Sequence, residues 1–506
     1  MNKFELKLTE ITEKEIKGRW DSVVNADEYR VFWADTNRET TKFLPVCVTK
    51  ETSFTFKRST HRCFTFYVEA YKNGELIAAS DRVTSTKKAH FNEYLEKINR
   101  GLVAVKVNNG VFVSWRMFKD EATGASETGL TGTDFVIYRD GVKVSCVTDS
   151  CNYLDKEGTL ESRYAVAPLK NGKEGDRCEE ITPLSKPYFE IPVKKPEGGV
   201  TPAGEVFEYN ANDMSVGDID GDGEYEYFLK WDPSNSHDVS HRGYTGHQFI
   251  DCYKLDGRLL WRLDMGVNIR AGAHYTQFMV YDFNLDGKAE MAVKTAPGTK
   301  ITRFDEKGNV LSEKYITLPA EDVKKGVTNE DNYVCSKESY LEHLRVLFKG
   351  WSNRPEVKSG QWPKSLEECF GTKQMFSYPL SDEDAAKAVD YFVDVYAPAR
   401  SDKNKLREFE GFIYEGPEYL TMFSGAGEEL STIPYRFPRV DDGFLWGDYA
   451  FRRIEPCNRV DRFNAGVAYL DGERPYLIMC RGYYTRATLV AYDFFENKFN
   501  EVWAID

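Results

Sequence analysis

The chain has 506 residues, 14 % of them aromatic, with 67 Lys and Arg against 81 Asp and Glu and a formal net charge of −14. That length admits about two to four domains with sizeable cores, and the Tyr- and Phe-rich composition suits β structure. The negative sign argues against nucleic acid or an anionic membrane as partner, while a polyanionic substrate stays open if bound cations or local basic residues offset the charge.

No stretch approaches the roughly 18 consecutive apolar residues of a membrane span, and the opening Met1-Asn2-Lys3-Phe4-Glu5-Leu6-Lys7 lacks the apolar run of a signal peptide. As written the chain reads as cytoplasmic, or as secreted if its N-terminus is incomplete. Its ten cysteines are scattered without Cys-x-x-Cys pairs and read as reduced, buried thiols. Cys146 and Cys151 are the pair close enough to bridge across a turn.

Residues 1–92 alternate in period 2, with Trp20, Tyr29, Val31 and Trp33, then Phe64, Phe66, Val68 and Ala70 ahead of a Lys72-Asn73-Gly74 turn. Residues 98–195 repeat the arrangement with Val111, Val113 and Trp115, then Phe135, Ile137, an Arg139-Asp140-Gly141 turn, Tyr164 and Val166. Each reads as a small β-sandwich of roughly 90 residues. The early Trp and later Tyr core positions resemble those of fibronectin type III modules. Pro196-Glu197-Gly198-Gly199-Val200-Thr201-Pro202 is the clearest linker.

From 203 to 506 one acidic pattern occurs twice: Asp218, Asp220, Asp222 and Glu226, then Asp282, Asn284, Asp286 and Glu290. Oxygen-bearing side chains at positions 1, 3, 5 and 9, with glycine turning the loop after position 5, suit a hard cation such as calcium. An apolar run ending in Lys230 or Lys294 follows each copy, and Tyr469-Leu470-Asp471-Gly472-Glu473 is a third, degenerate version. Hairpins such as Tyr253-Lys254-Leu255-Asp256-Gly257 before Trp261 recur with them. A repeating unit of about 60 residues points to radial β repetition, a propeller; the alternative is a large sandwich with coincidental turns. Between about 320 and 400, Leu341, Leu344 and Phe348, then Val389, Phe392, Val393 and Tyr396 behind Ser381-x-x-Asp384, keep helical spacing. This is a partly helical insertion, and its apolar stripes are packing faces.

Several motifs are more specific. The run Ala211 to Glu224 continuing through Lys230-Trp231-Asp232-Pro233-Ser234-Asn235-Ser236 resembles the rhamnogalacturonan lyases of polysaccharide lyase family 11. So do Asn268 to Phe278, Gly416 to Leu420, Asn458 to Phe463 and Arg481 to Arg486, in family order, over about 100–506. The resemblance implies an all-β protein: fibronectin III-like β-sandwiches followed by part of an eight-bladed β-propeller rich in calcium. The family often has one fibronectin-like domain, so the module at 1–92 is a departure, an accessory.

The resemblance also implies cleavage of the rhamnose–galacturonate backbone of pectin, rhamnogalacturonan I, by calcium-assisted β-elimination. Carried over by motif, Asn212 and Asp232 contact the sugar beside Lys230, and Asp213 is a ligand of an axial calcium. The two acidic loops hold structural calcium. Lys294, His274 and Arg481 are the candidate bases within the chain. For Lys230, Lys294, Arg270, His274, Arg459 and Arg481 the alternative to a cationic funnel is a structural ion pair or turn-holding hydrogen bond. In the family the chain runs on through further blades that carry the basic catalytic residues. Ending at Asp506, the sequence reads as C-terminally truncated, about half a ring, which predicts an exposed apolar face, aggregation and negligible activity for the chain alone. A non-catalytic calcium-dependent propeller and a glycoside hydrolase with a carboxylate pair are the competing readings.

Overall fold

The computed structural model describes the chain except residues 1, 13, 35–41, 58–63, 86–94, 127–128, 240, 273, 440–453, 455–456, 458 and 484–485. Strands dominate, and the chain divides into two compact units, one built mainly from residues 1–190 and the other from 191–506. Among the described residues no helix is long and apolar enough to cross a membrane.

Within the first unit, residues 2–85 make two sheets around one core. Leu6–Ile11, Glu15–Trp20 and Ser53–Lys57 form one; Glu28–Ala34, Thr65–Lys72 and Glu75–Ser80 lie side by side in the other, with Leu44–Thr49 at one edge. The period-2 pattern puts Tyr29, Val31, Phe66, Val68 and Ala70 on the inner face against Leu6, Ile16, Trp20 and Phe54. Trp20 meets Tyr29 edge-on with ring centres 5.3 Å apart. Asn73 and Gly74 both take positive φ, the backbone a two-residue hairpin requires to match strand twist.

Residues 103–174 repeat the scheme. Val103–Val107, Gly110–Ser114 and Asn152–Asp155 form one sheet, and Val142–Val147, Asp134–Arg139, Tyr164–Lys170 and Lys173–Glu174 the other. Val111, Val113, Trp115, Phe135, Ile137, Tyr164 and Val166 fill the space between. Cys146 and Cys151, near enough in sequence to bridge a turn, are not bonded to each other. Cys146 is exposed on one sheet, whereas Cys151, ahead of a strand of the other, packs against the core, so both thiols are free. All nine described cysteines are reduced, and Cys252, Cys335 and Cys457 are buried.

The second unit contains three antiparallel sheets in chain order. The first runs Tyr209–Gly217, Glu226–Pro233, Phe249–Tyr253 and Leu259–Asp264, extended by Lys300–Phe304 and Val310–Tyr315. The second runs Phe278–Tyr281, Glu290–Thr295, Tyr419–Phe423 and Glu429–Pro434; the third runs Phe463–Ala468, Tyr476–Arg481, Thr488–Phe495 and Lys498–Ile505. In every sheet an acidic turn joins the first strand to the second. The first strands are also neighbours: Tyr209–Gly217 approaches Phe278–Tyr281, which approaches Phe463–Ala468.

Consecutive sheets pack face to face. Met291 and Val293 meet Phe228, Ile250, Trp261 and Leu263 of the first sheet. Ala292 points the other way, toward Phe463, Leu477 and Met479 of the third. Glu290–Thr295 is therefore buried on both faces, with Met291, Ala292 and Val293 apolar in succession, as a central strand between two cores should be. Trp261 adds a directed bond, its indole N–H donating to the Gly425 carbonyl at 2.9 Å.

The segment near 320–400 is helical, with Lys337–Lys349 and Asp382–Tyr391 the longest helices. The second begins where Ser381 Oγ accepts the Asp384 N–H at 3.0 Å. Leu344, Phe348, Val389, Phe392, Val393 and Tyr396 converge on one core.

Candidate functional site

The edge of the first sheet carries a polar constellation. Tyr209–Gly217 pairs with Glu226–Pro233, but the register slips between Ala211 and Met214, so Asn212 and Asp213 together stand opposite Lys230. Such a bulge re-aims side chains. Asn212 and Asp213 are exposed, and the Asp213 N–H donates to Asn212 Oδ1 at 2.8 Å. Lys230 is buried along its length, yet its ammonium reaches Asp213 Oδ2 at 2.5 Å and the Thr276 carbonyl at 3.5 Å. The Thr276 hydroxyl donates to Gln248 Oε1 at 2.5 Å, and Gln248 Nε2 donates to Asp232 Oδ1 at 2.6 Å.

Asp213, Lys230, Thr276, Gln248 and Asp232 are thus one connected network drawn from two strands and two loops. Burial pushes the Asp232 carboxyl above its ordinary range, against the opposing pull of Lys230 and Gln248. His274 lies two residues before Thr276 with its side chain in solvent, and its carbonyl accepts the Phe463 N–H at 3.0 Å. Gln248 and Thr276 escape a reading of the sequence: Thr276 sits inside a quoted motif without a distinguishing feature, and Gln248 has no local signal at all.

The other two candidate bases lie elsewhere. Lys294, Glu418, Arg439, Asp461 and Arg481 form a buried ion cluster. Glu418 takes Arg439 and Arg481 at 2.6 Å each and Lys294 at 3.3 Å, and Arg439 also pairs with Asp461 at 2.6 Å. The Lys294 ammonium lies 3.9 Å from the centre of the Phe463 ring. Burial pushes Lys294 down to about 8 despite Glu418 and Asp461. Three surrounding cations hold Glu418 well below the usual carboxylate range, whereas burial wins at Asp461 and raises it. Arg270 is likewise spent internally, its guanidinium donating to the carbonyls of His237, His241, Gly243 and Gly411. Arg459 is buried, and Asn458 and Tyr484-Thr485 of the quoted motifs lie outside the described residues.

The acidic loops share a fold and differ in charge balance. In the first, Asp218 accepts the N–H groups of Gly221 and Gly223 at 2.7 and 2.8 Å, and Glu226 closes the loop on the Ile219 N–H at 2.9 Å. Oxygens of Asp218, Asp220 and Asp222 come within 4.8 Å of one another. Lys254 inserts its ammonium among these carboxylates, 2.6 Å from Asp220 and 2.7 Å from Glu226. In the second loop Asp282 accepts from Asp286 and Gly287 at 3.1 and 3.0 Å, and Glu290 from Phe283 at 2.9 Å. Burial, reinforced by Asp286 and Asp282, pushes the Glu290 carboxyl up to about 8. Among the described residues the carboxylates that converge closely enough to hold a metal ion are Asp218, Asp220 and Asp222 of the first loop, an all-oxygen donor set that fits a hard divalent cation.

The family model for the rhamnogalacturonan lyase family 11 C-terminal domain matches residues 188–341 and 383–506. The chain belongs to this family. Residues 93–184 match the model for the β-sheet domain of rhamnogalacturonan I lyases, while 342–382, in the helical segment, lie outside both. Rhamnogalacturonan exolyase YesX of Bacillus subtilis is 41 % identical over 418 residues, 81 % of this chain and 50 % of its own length. Rhamnogalacturonan endolyase YesW of the same organism is 39 % identical over 435 residues, 85 % of this chain and 53 % of its own. The solved structure of Bacillus licheniformis rhamnogalacturonan lyase PL11 is 40 % identical and superposes with a TM-score of 0.56, over 82 % of this chain and 54 % of that one. The chain spans about half the length of the curated relatives it matches.

Proposed function

We propose that this chain acts on rhamnogalacturonan I as a polysaccharide lyase, cleaving next to galacturonate by β-elimination. The observation that carries the reading is the convergence of Asn212, Asp213, Lys230 and Asp232 on one network at a bulged sheet edge. In the reaction a base takes the proton from C5 of galacturonate, a double bond forms between C4 and C5, and the O4 leaving group departs with the electron pair of its bond. Asn212 and Asp232 orient the sugar, with Gln248 fixing the Asp232 carboxylate and Thr276 fixing Gln248. Lys230 sets the position of Asp213, the proposed ligand of an axial calcium. Calcium held there would supply positive charge against the uronate carboxylate and the developing enolate.

Among Lys294, His274 and Arg481, His274 alone is exposed to solvent; in this proposal it is the first base to test. The fold reading that accompanies the activity is two fibronectin III-like sandwiches, 1–92 and 98–195, and a propeller portion, 203–506, with an insertion at about 320–400. Adjacent first strands and face-to-face sheets support radial packing. The two acidic loops would hold calcium within blades.

Ultraviolet absorbance of the unsaturated uronate, followed on rhamnogalacturonan I with and without EGTA, tests the activity. In a protein extended to the full length of the relatives, the expected result is product formation that falls in Asn212→Ala and Asp232→Ala variants of unchanged fold. Full activity in either variant, or preference for homogalacturonan, would overturn the assignment.

A further inference from the structure

The second unit holds a cavity of about 500 Å³ whose lining adjoins the constellation at His247, next to Gln248, yet includes none of the residues the proposed elimination uses. One wall is the short hairpin Gly199–Val200 with Val206–Phe207, continued by Tyr209. Tyr244 and His247 form a second side, and Asn332 and Ser336, ahead of the first long helix of the helical segment, a third. The cavity is preformed. Gly246 lets the Phe207 ring close in, since a Cβ there would meet the ring at 2.4 Å. Gly411 has a φ of +81°, and a Cβ on it would meet the Gly243 carbonyl oxygen at 2.3 Å. Arg270 ties the carbonyls of Gly243 and Gly411 together beneath.

Its chemistry selects the ligand. Phe207, Tyr209 and Tyr244 offer apolar ring faces, and Thr201, Asn332 and Ser336 offer neutral hydrogen-bonding groups. His247 is oriented by Asp264, with Nδ1 to Oδ1 at 3.0 Å, which in the neutral ring leaves Nε2 as an acceptor. The one cationic side chain in the lining, Arg270, is already committed to four carbonyls, and the Asp264 carboxylate beside His247 opposes a second anion. Aromatic faces, neutral polar groups and no available cation match an uncharged sugar ring, and the volume accommodates about one to two of them.

We infer that this cavity is a secondary binding site for a neutral pyranose unit, distinct from the uronate-binding edge. That the occupant is a sugar rests on the proposed polysaccharide substrate; that it is neutral rests on the cavity alone. Saturation-transfer NMR with D-galactose, L-rhamnose and D-galacturonate at equal concentration tests it, with lyase activity assayed separately so that the two readings can fail independently. The expected result is signal from a neutral sugar exceeding that from galacturonate. It should drop roughly fivefold or more in Tyr244→Ala and in His247→Gln, as loss of one buried contact or hydrogen bond implies. Circular dichroism establishes that each variant is folded, and if Tyr244→Ala is not, His247→Gln decides. Absence of neutral-sugar signal, stronger signal from galacturonate, or signal unchanged in the folded variants overturns the inference.

Discussion

The Lys254 ammonium lies 2.7 Å from Glu226 Oε1, inside the first acidic loop. Glu290 holds the same place in the second loop, and among the described residues no lysine or arginine is paired with it. Two loops of one pattern therefore meet their charge differently: the first partly by a lysine from the next hairpin, the second without a basic side chain on its Glu290 among the described residues.

Calcium should for that reason stabilise chiefly through the second loop. Adding calcium to EGTA-treated protein is expected to raise the melting temperature, and at a hundredfold excess over Kd the gain is about 2.7 kcal/mol per site. In Glu290→Gln most of the rise should vanish, whereas Lys254→Met should increase calcium dependence by removing the internal cation. Thermal melts of the three proteins with and without EGTA decide it; equal melting temperatures in both conditions for the parent chain would refute the calcium assignment.

The buried cluster makes a different prediction. Glu418 faces three cations, so Glu418→Gln leaves two arginines and a lysine against Asp461 and should cost about 3–5 kcal/mol. Lys294→Met removes the excess positive charge and should cost far less. Urea unfolding of both variants measures the difference, and similar losses would show that the cluster does not act as a charge-balanced unit.

The depressed Lys294 gives that cluster a pH signature. Burial holds it at about 8 against an ordinary 10.5. Below about 8 the lysine is charged in both folded and unfolded chains, and its burial penalty stands in full. From about 8 to 10.5 the folded chain releases a proton that the unfolded chain keeps, so this lysine's contribution to stability rises with pH. Denaturant midpoints across that window should climb more steeply in the parent protein than in Lys294→Met; parallel profiles would contradict the assignment.

At the sheet edge, Gln248→Ala strips Asp232 of its 2.6 Å donor. Losing a hydrogen bond to a charged group costs about 1.5–3 kcal/mol, so cleavage of rhamnogalacturonan should fall about tenfold to a hundredfold while the fold persists. Steady-state rates beside those of Asp232→Ala provide the comparison, and unaltered kinetics would remove Gln248 from the network's function.

Read alone, the sequence determined the local features. Ligand spacing in the acidic loops, the Asn73-Gly74 hairpin, the Ser381 cap and the period-2 strands are set by residues a few positions apart, where backbone geometry leaves few options. Its motifs likewise named the family. Tertiary structure decided which charges meet. Lys294 and Glu418 are 124 residues apart, and no pattern in the chain announces that two paired strands of one sheet will bury them in one cluster with Arg481 of the next. Nor does any local signal show that Lys254 enters an acidic loop 28 residues before it, or that Gln248 orients Asp232. These partners are chosen by how sheets stack and strands register, and those are set by apolar burial over the whole unit.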